Sequence, residues 1–259
     1  MGFELDHTSF AVADALAHAG RLRRELGAVP IAGEELPEFR YLLLYVGTVD
    51  RGARIELIEP TGPGFLSRFL DASGEGPHHI TIAVPDLAEA VRRTRALGLT
   101  VVGESHEHAG WREAFVMPDD VHGTVIQLAS SDRRYPSVDE LLSTRSRDMS
   151  SMPAVAGAWD PHWWTSLWEI DPVDQSGWLG ATHLRSTNLG LSREFFGTVL
   201  EGDLAEEEGG FRVTWPSGAI RVLAGEPVGI TRVERHGGAG GDWTIGCCGF
   251  TADAVTGPR

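Results

Sequence analysis

The sequence predicts an α+β fold built from duplicated β-α-β-β units, and three observations carry that prediction. The first is an internal repeat: the stretch PHHITIAVPDLAEAV (Pro77 to Val91) answers DHTSFAVADALAHAG near the N-terminus. His7 matches His79, Val12 matches Val84 and Asp14 matches Asp86, each pair 79 − 7 = 72 positions apart. The second is that each copy passes from an alternating, strand-like run into a helical pattern opened by an Asp cap and closed by a Gly. The third is that the copies stay in step downstream, where RELGAVPIAGE (Arg24 to Glu34) answers RALGLTVVGE (Arg95 to Glu104) and RIELIEP (Arg54 to Pro60) answers VIQLASS (Val125 to Ser131). Self-similarity of this length marks a duplicated supersecondary unit.

In the first unit, residues 4 to 12 favour a strand, and Asp14 caps a helix that carries Leu16, Ala19, Leu22 and Leu26 on one side before Gly27 stops it. A short strand fits Val29 to Ile31, and YLLLYVGT (Tyr41 to Thr48) and ARIELIE (Ala53 to Glu59) read as two strands joined by a turn. The link GPGFLSRFLDASGEG suits one short helix. In the second unit Asp86 caps a helix with Leu87, Ala90, Val91 and Leu97 at core spacing, Gly98 ends it, and strands follow at TVVGE, EAFVMP and GTVIQLA.

The character changes after Ser131. Ser137 and Glu140 form a capping box ahead of one more helix. Trp159, Trp163, Trp164, Trp168 and Trp178 then crowd together with Pro153, Pro161 and Pro172, which suits a linker packing its indoles over a domain face or a lid over a ligand. A third unit follows in ATHLRSTNLGLSREFFGTVLEG, with His183 where His7 stood. GAIRVLAGEP then resembles ARIELIEP, with Arg221 at the Glu56 position. WTIGCCGFTADA is read as the opening of a fourth unit, with Asp253 as a helix cap, and the copy is expected to be incomplete. The expected organisation is residues 1–131 as a complete pair of units, 132–178 as a linker, and 179–259 as a degenerate second pair free of metal.

The chain has 259 residues, 42% of them hydrophobic, and a net charge of −15. That balance disfavours a nucleic-acid partner, which needs a Lys/Arg surface to displace counterions, and an anionic membrane surface for the same reason. There is no apolar run of 18 residues and no charged-then-apolar N-terminal pattern, so a soluble cytoplasmic protein is expected. Cys247 and Cys248 are adjacent on an expected strand, where neighbours point to opposite faces, so a bond between them is disfavoured and a reducing compartment is the simpler reading.

The repeat also sets out the candidate chemistry. Polar residues fill two recurring strand positions in each of the first two units: His7 and Glu56, then His79 and Gln127. Paired about a pseudo-twofold axis, two imidazoles and two side-chain oxygens make a mixed N/O site for a divalent metal (Zn, Ni, Co, Mn or Fe) with positions open for substrate oxygens. Arg40 and Arg112 are candidates to hold a substrate anion. His106, His108 and His122 stand at no repeated position.

Residues 4 to 130 resemble the vicinal oxygen chelate superfamily (glyoxalase, bleomycin resistance and dioxygenase proteins), and most closely its methylmalonyl-CoA epimerase branch. The matching text is LDHTSFAV, LPE before a strand, IELIEP followed by GFLSRFL, GPHHITIAVPDL and AFVMPDDVHGTVIQL. The resemblance implies paired β-α-β-β-β modules around a metal cup, with His7, Glu56, His79 and Gln127 at the ligand positions. His78 is expected on the opposite strand face. Gln127 stands where the family carries a glutamate, and an amide cannot accept a proton. The base for removing a proton beside a metal-bound carbonyl is therefore expected to be Glu56, or Glu38, whose LPE context resembles the epimerase segment bearing a proton-shuttling glutamate.

The implied activity is a metal-dependent isomerase or epimerase acting on a small acid, acyl thioester or polyketide-like substrate. Two alternatives stay open, a non-catalytic small-molecule binding protein of the antibiotic-sequestering type and an Fe(II)-dependent dioxygenase. A homodimer covering the edge from Trp243 to Phe250 is expected.

Overall fold

A computed structural model of the chain describes residues 2–107, 110–132, 137–143 and 162–252. His108, Trp159 and Asp253 lie outside the described residues. The first unit runs β1 (Glu4–Ala11), α1 (Ala15–Leu26), β2 (Val29–Glu35), β3 (Phe39–Gly47) and β4 (Gly52–Pro60). After α2 (Phe65–Ser73), the second runs β5 (Gly76–Ala83), α3 (Leu87–Ala96), β6 (Val101–Ser105), β7 (Arg112–Val116) and β8 (Val125–Ser130).

Local chemistry sets the helix ends. The Asp14 carboxylate accepts the Ala17 N–H at 2.9 Å and the Asp86 carboxylate the Glu89 N–H at 3.0 Å, so each satisfies a donor that the first helical turn leaves without a partner. Gly27 closes α1 at φ 70°, a left-handed position that glycine takes without a Cβ penalty. Ser137 and Glu140 close their capping box reciprocally ahead of α4 (Val138–Ser143).

The eight strands of the two units form one sheet in the order β2-β3-β4-β1-β5-β8-β7-β6. Within each unit the first strand pairs parallel with the last, β1 with β4 and β5 with β8, and the units join through the antiparallel β1–β5 seam. The fold is therefore α+β with two β-α-β-β-β modules side by side.

After a 3-10 helix at His162–Glu169 come β9 (Trp178–Ser186), α5 (Leu189–Arg193) running into a π-helical turn, β10 (Asp203–Glu207), β11 (Gly210–Trp215), β12 (Gly218–Ala224), β13 (Gly229–His236), β14 (Trp243–Ile245) and β15 (Cys248–Ala252). They form a seven-stranded sheet in the order β10-β11-β12-β9-β13-β15-β14. Two expectations are corrected here. The fourth unit opens at β13, which pairs antiparallel with β9 as β5 does with β1, so WTIGCCGF is a closing hairpin and not an opening strand. Between β13 and β14 a glycine-rich turn stands where the other units carry a helix, because Gly237, Gly238 and Gly240 all take positive φ. Cys247 sits exposed in that hairpin turn and Cys248 is buried on β15, so they are not strand neighbours, and both are free thiols.

The second correction concerns His183. Asn188 caps α5 as Asp14 caps α1, and that offset of 174 residues matches Thr182 to Thr8 and His183 to Ser9. Pairing agrees, since His183 stands level with Arg221 as Ser9 stands level with Glu56. Ala181, not His183, therefore holds the His7 place.

The backs of the two sheets share one hydrophobic core. Phe10, Leu42, Leu44, Ile80 and Leu128 from the first meet Leu184, Phe211, Ile220, Val233 and Phe250 from the second. Trp164 and Trp168 belong to this core, Trp163 packs at its margin beneath the Arg40 guanidinium, and Arg23 stacks on Trp168 at 4.6 Å. These described indoles of the connecting segment thus pack as structure. On the opposite face of the first sheet, α2 and α4 cover a smaller cluster containing Ile31, Tyr41, Leu43 and Ile58. No helix among the described residues is long and apolar enough to cross a membrane.

Candidate functional site

The β1–β5 seam brings the four repeated polar residues together on two adjacent rungs of the sheet. Ser9 is level with Glu56 on one side and His79 on the other; Thr81 is level with His7 and Gln127. Because side chains alternate along a strand, Thr8 and Phe10 enter the core while His7 and Ser9 face the other way.

His7 Nε2 lies 3.4 Å and His79 Nε2 3.6 Å from Glu56 Oε2. Two donors held about 2.1 Å from a common centre at a tetrahedral angle are about 3.4 Å apart, so this spacing and donor set fit a divalent cation. His7, Glu56 and His79 offer ligand atoms within 4.8 Å of one another.

The groups around these side chains repeat as well. Ser9 Oγ donates to Glu56 Oε2 at 2.7 Å, and Thr81, 72 positions on, donates to Gln127 Oε1 at 2.6 Å. Asp6 Oδ1 holds His7 Nδ1 at 2.7 Å, and His78, again 72 positions on, holds His79 Nδ1 at 2.8 Å. Both imidazoles are thereby fixed with Nε2 turned toward Glu56, the arrangement that orients a metal-binding histidine. The sequence reading missed Ser9, Thr81 and Asp6, although the offset of 72 applied to each neighbour of a candidate ligand finds them.

His78 is corrected too. The β1–β5 register slips between Ser9/His79 and Phe10/Pro77, leaving His78 as the extra residue of a bulge, and it turns to border the same cavity. Its ring packs on Phe69 at 4.9 Å.

Burial disfavours charge on all three central groups; the attraction between Glu56 and His7 overcomes it for that pair, whereas for His79 burial prevails. For Glu56 the neighbouring His7 outweighs burial and holds the carboxyl at about 2. Against its own burial, His7 is raised to about 9 by Glu56 and by the Asp6 hydrogen bond. His79 is driven down to about 3, first by burial and then by the neighbouring imidazoles, with Glu56 opposing.

Above the cluster opens a cavity of about 720 Å³. Phe39, Tyr41, Leu43 and Phe65 form one wall; Trp111, Glu113, Phe115 and Met117 form the other. Glu113 is a further residue that sequence reasoning missed. Its Oε2 accepts from Gln127 Nε2 at 2.7 Å and from Trp111 Nε1 at 3.0 Å. The first bond turns the amide nitrogen of Gln127 away, toward Glu113, and its oxygen toward Thr81.

Three sequence candidates lie outside this lining. Arg40 alternates with Tyr41 on β3 and Arg112 with Glu113 on β7, so both point to the other sheet face. There Arg40 pairs with Glu59 at 2.6 Å and Arg112 with Asp132 at 2.8 Å. Glu38 sits exposed just before β3, its carboxylate lying over Gly64. His122 is buried elsewhere, against Ser192 at 3.1 Å.

The matching face of the second sheet is filled differently. The places of His7, Glu56, His79 and Gln127 are taken by Ala181, Arg221, Arg232 and Thr251. Buried Glu234 accepts from His183 at 3.0 Å and meets Arg221 at 3.3 Å and Arg212 at 3.4 Å.

Fold and site together define a class, that of paired β-α-β-β-β modules with a histidine- and carboxylate-lined cup at their seam. A family model described as the glyoxalase/bleomycin resistance protein/dioxygenase superfamily matches residues 6–115. An ethylmalonyl-CoA/methylmalonyl-CoA epimerase of Cereibacter sphaeroides is 30% identical over 129 residues, which cover 48% of this chain and 95% of that protein. The chain belongs to the glyoxalase/bleomycin resistance protein/dioxygenase superfamily. Among solved structures, a methylmalonyl-CoA epimerase from Mycobacterium tuberculosis is similar at 30% identity over 50% of this chain and 89% of that one, with a TM-score of 0.45. A hypothetical protein from Staphylococcus aureus shares the fold over 97% of this chain and 100% of its own, with a TM-score of 0.55 at 12% identity.

Proposed function

We propose that this protein is a metal-dependent isomerase of the epimerase type, moving a proton on the carbon beside a carbonyl of a small acid or acyl thioester. The observation that carries the proposal is the convergence of His7, Glu56 and His79 beneath a cavity large enough for an acyl group. The epimerase relative, similar along nearly its whole length, supports the same reading.

In this reading His7, Glu56, His79 and the Gln127 oxygen hold a divalent cation of the Zn, Co, Ni, Mn or Fe group. Lewis acidity toward a carbonyl oxygen is what such a cation supplies when bound. The chain's own residues do the rest. Asp6 and His78 fix the two imidazoles, Ser9 and Thr81 fix the two oxygen donors, and the walls around Phe39, Phe65 and Phe115 keep water from the reacting carbon. Residues 1–131 carry this function as one domain, while residues 179–259, joined through 132–178, brace the back of the cup.

The test is elemental analysis of the purified protein, followed by incubation with methylmalonyl-CoA and ethylmalonyl-CoA in deuterated water. Stoichiometric metal and deuterium entering the α-carbon are expected; a protein that takes up no divalent metal sinks the proposal. A second reading, an Fe(II) dioxygenase, draws on the two-histidine, one-carboxylate makeup of the cluster, a usual set for such enzymes. Oxygen uptake after anaerobic loading with Fe(II) separates the two.

A further inference from the structure

We infer that Glu113 is the group that accepts the α-proton, so that the base comes from the second module and stands apart from the cation-holding cluster. The inference rests on the isomerase reading above and adds to it the identity of the proton acceptor.

Elimination among the residues facing the cavity leads there. Among the described lining residues the carboxylates are Glu56 and Glu113. Glu56 is committed, its Oε2 lying 2.7 Å from Ser9 Oγ, 3.4 Å from His7 Nε2 and 3.6 Å from His79 Nε2. Gln127 has no site for a proton. His78 uses Nδ1 to hold His79, and Glu38 lies outside the lining.

Glu113 is placed for the task. It extends from the middle strand of the second module on the cavity side, beside Phe115, while Ala114 and Val116 between and after them enter the core. The bonds from Gln127 Nε2 and Trp111 Nε1 both reach Oε2 and fix the plane of the carboxylate. Gln127 therefore links the proton acceptor to the cluster and sets their separation.

The repeat explains why the acid occurs here. Phe115 is level with Gln127 as Leu43 is level with Glu56, so Glu113 occupies the place that Tyr41 occupies in the first module, 72 positions earlier. Each module thus brings one oxygen donor to the seam and one polar side chain to its own wall: Glu56 with Tyr41, and Gln127 with Glu113. The module whose seam donor is a neutral amide carries its carboxylate on the wall.

The step balances without a further reactant. The C–H bond beside the carbonyl breaks, its electron pair passes into the enolate, and the proton forms an O–H bond on Glu113. Return of a proton to carbon restores the carbonyl and the carboxylate.

Glu113→Gln tests this directly, because a glutamine oxygen can still accept from Gln127 and Trp111 while the basic carboxylate is lost. Wild-type and variant proteins are loaded with cobalt(II), their cobalt absorption spectra and content recorded, and deuterium entry into methylmalonyl-CoA followed. The expected result is exchange slowed by about 100-fold or more, with cobalt content, spectrum and KM unchanged. Glu113→Asp, which keeps a carboxylate, is expected to recover part of the rate, and carries the test if Glu113→Gln does not fold. Exchange at the wild-type rate in Glu113→Gln overturns the assignment. Loss of cobalt together with exchange also overturns it, leaving Glu113 as a positioning residue for Gln127. A wild-type protein that binds cobalt but exchanges no deuterium removes the isomerase reading, and this assignment with it.

Discussion

Thr8 and Thr182 are repeat equivalents 174 residues apart, and their hydroxyls meet at 2.8 Å where the backs of the two sheets pack. Both are buried, at 2% and 3% exposure, so losing one hydroxyl leaves the other without its partner in a dry interface. Thr8→Val or Thr182→Val alone should cost about 1–3 kcal/mol. The double substitution should recover much of that, and a double-mutant cycle by urea unfolding measures the coupling.

Ser9 and Thr81 hold the two oxygen donors of the cup without belonging to it. Ser9→Ala and Thr81→Ala should each weaken metal affinity about 10- to 100-fold, the usual cost of losing an orienting partner. Competition with a chelating dye reads this; unchanged affinity in both variants would show that the hydroxyls are bystanders. His79→Ala should abolish stoichiometric binding, and chelator should lower the Tm of the wild type but not of this variant.

Glu234 sets an acid limit on stability. Burial by itself would raise its pKa, but the His183 hydrogen bond, the Ala181 N–H and the Arg212 charge outweigh it and hold the group at about 2. A depressed carboxylate stabilises the fold above its ordinary value of 4.5 and loses that contribution as pH falls from there toward 2. The amount at neutral pH is on the order of 3 kcal/mol. Glu234→Gln should therefore flatten the fall in Tm between those limits, as differential scanning fluorimetry across a pH series would show.

Gly33 leaves room for an indole. A Cβ there would stand 2.8 Å from Trp164 Nε1 and 2.9 Å from the Tyr41 carbonyl oxygen, and the second of these is backbone that cannot swing aside. Gly33→Ala should cost about 1–3 kcal/mol and shift the tryptophan emission. Emission and Tm like those of the wild type would mean that Trp164 does not pack as described.

Much of the site was legible because duplication writes each seam position twice. His7 with His79 and Glu56 with Gln127 were found from that repetition, and the Asp14 and Asp86 caps fixed its phase. Where the copies diverge, repetition is silent. Glu113 answers Tyr41, a different residue type at the same place, and nothing in either strand alone marks it. His78 was misplaced because a one-residue bulge breaks the alternation on which its facing was judged. His183 was set beside His7 on residue type, whereas pairing aligns it with Ser9.

The sequence by itself determined the module pattern, its caps, its apolar faces and the four polar positions along the seam, because these depend on local periodicity and on a repeat that needs no coordinates. Tertiary structure decided which charges were spoken for. Arg40 and Arg112 could be drawn to Glu59 and Asp132 only once strand alternation had turned them from the cavity, and Glu113 could reach Gln127 only once β7 lay beside β8. Hydrogen bonds and ion pairs act over a few ångströms, and which residues come that close is settled by strand pairing, not by distance along the chain.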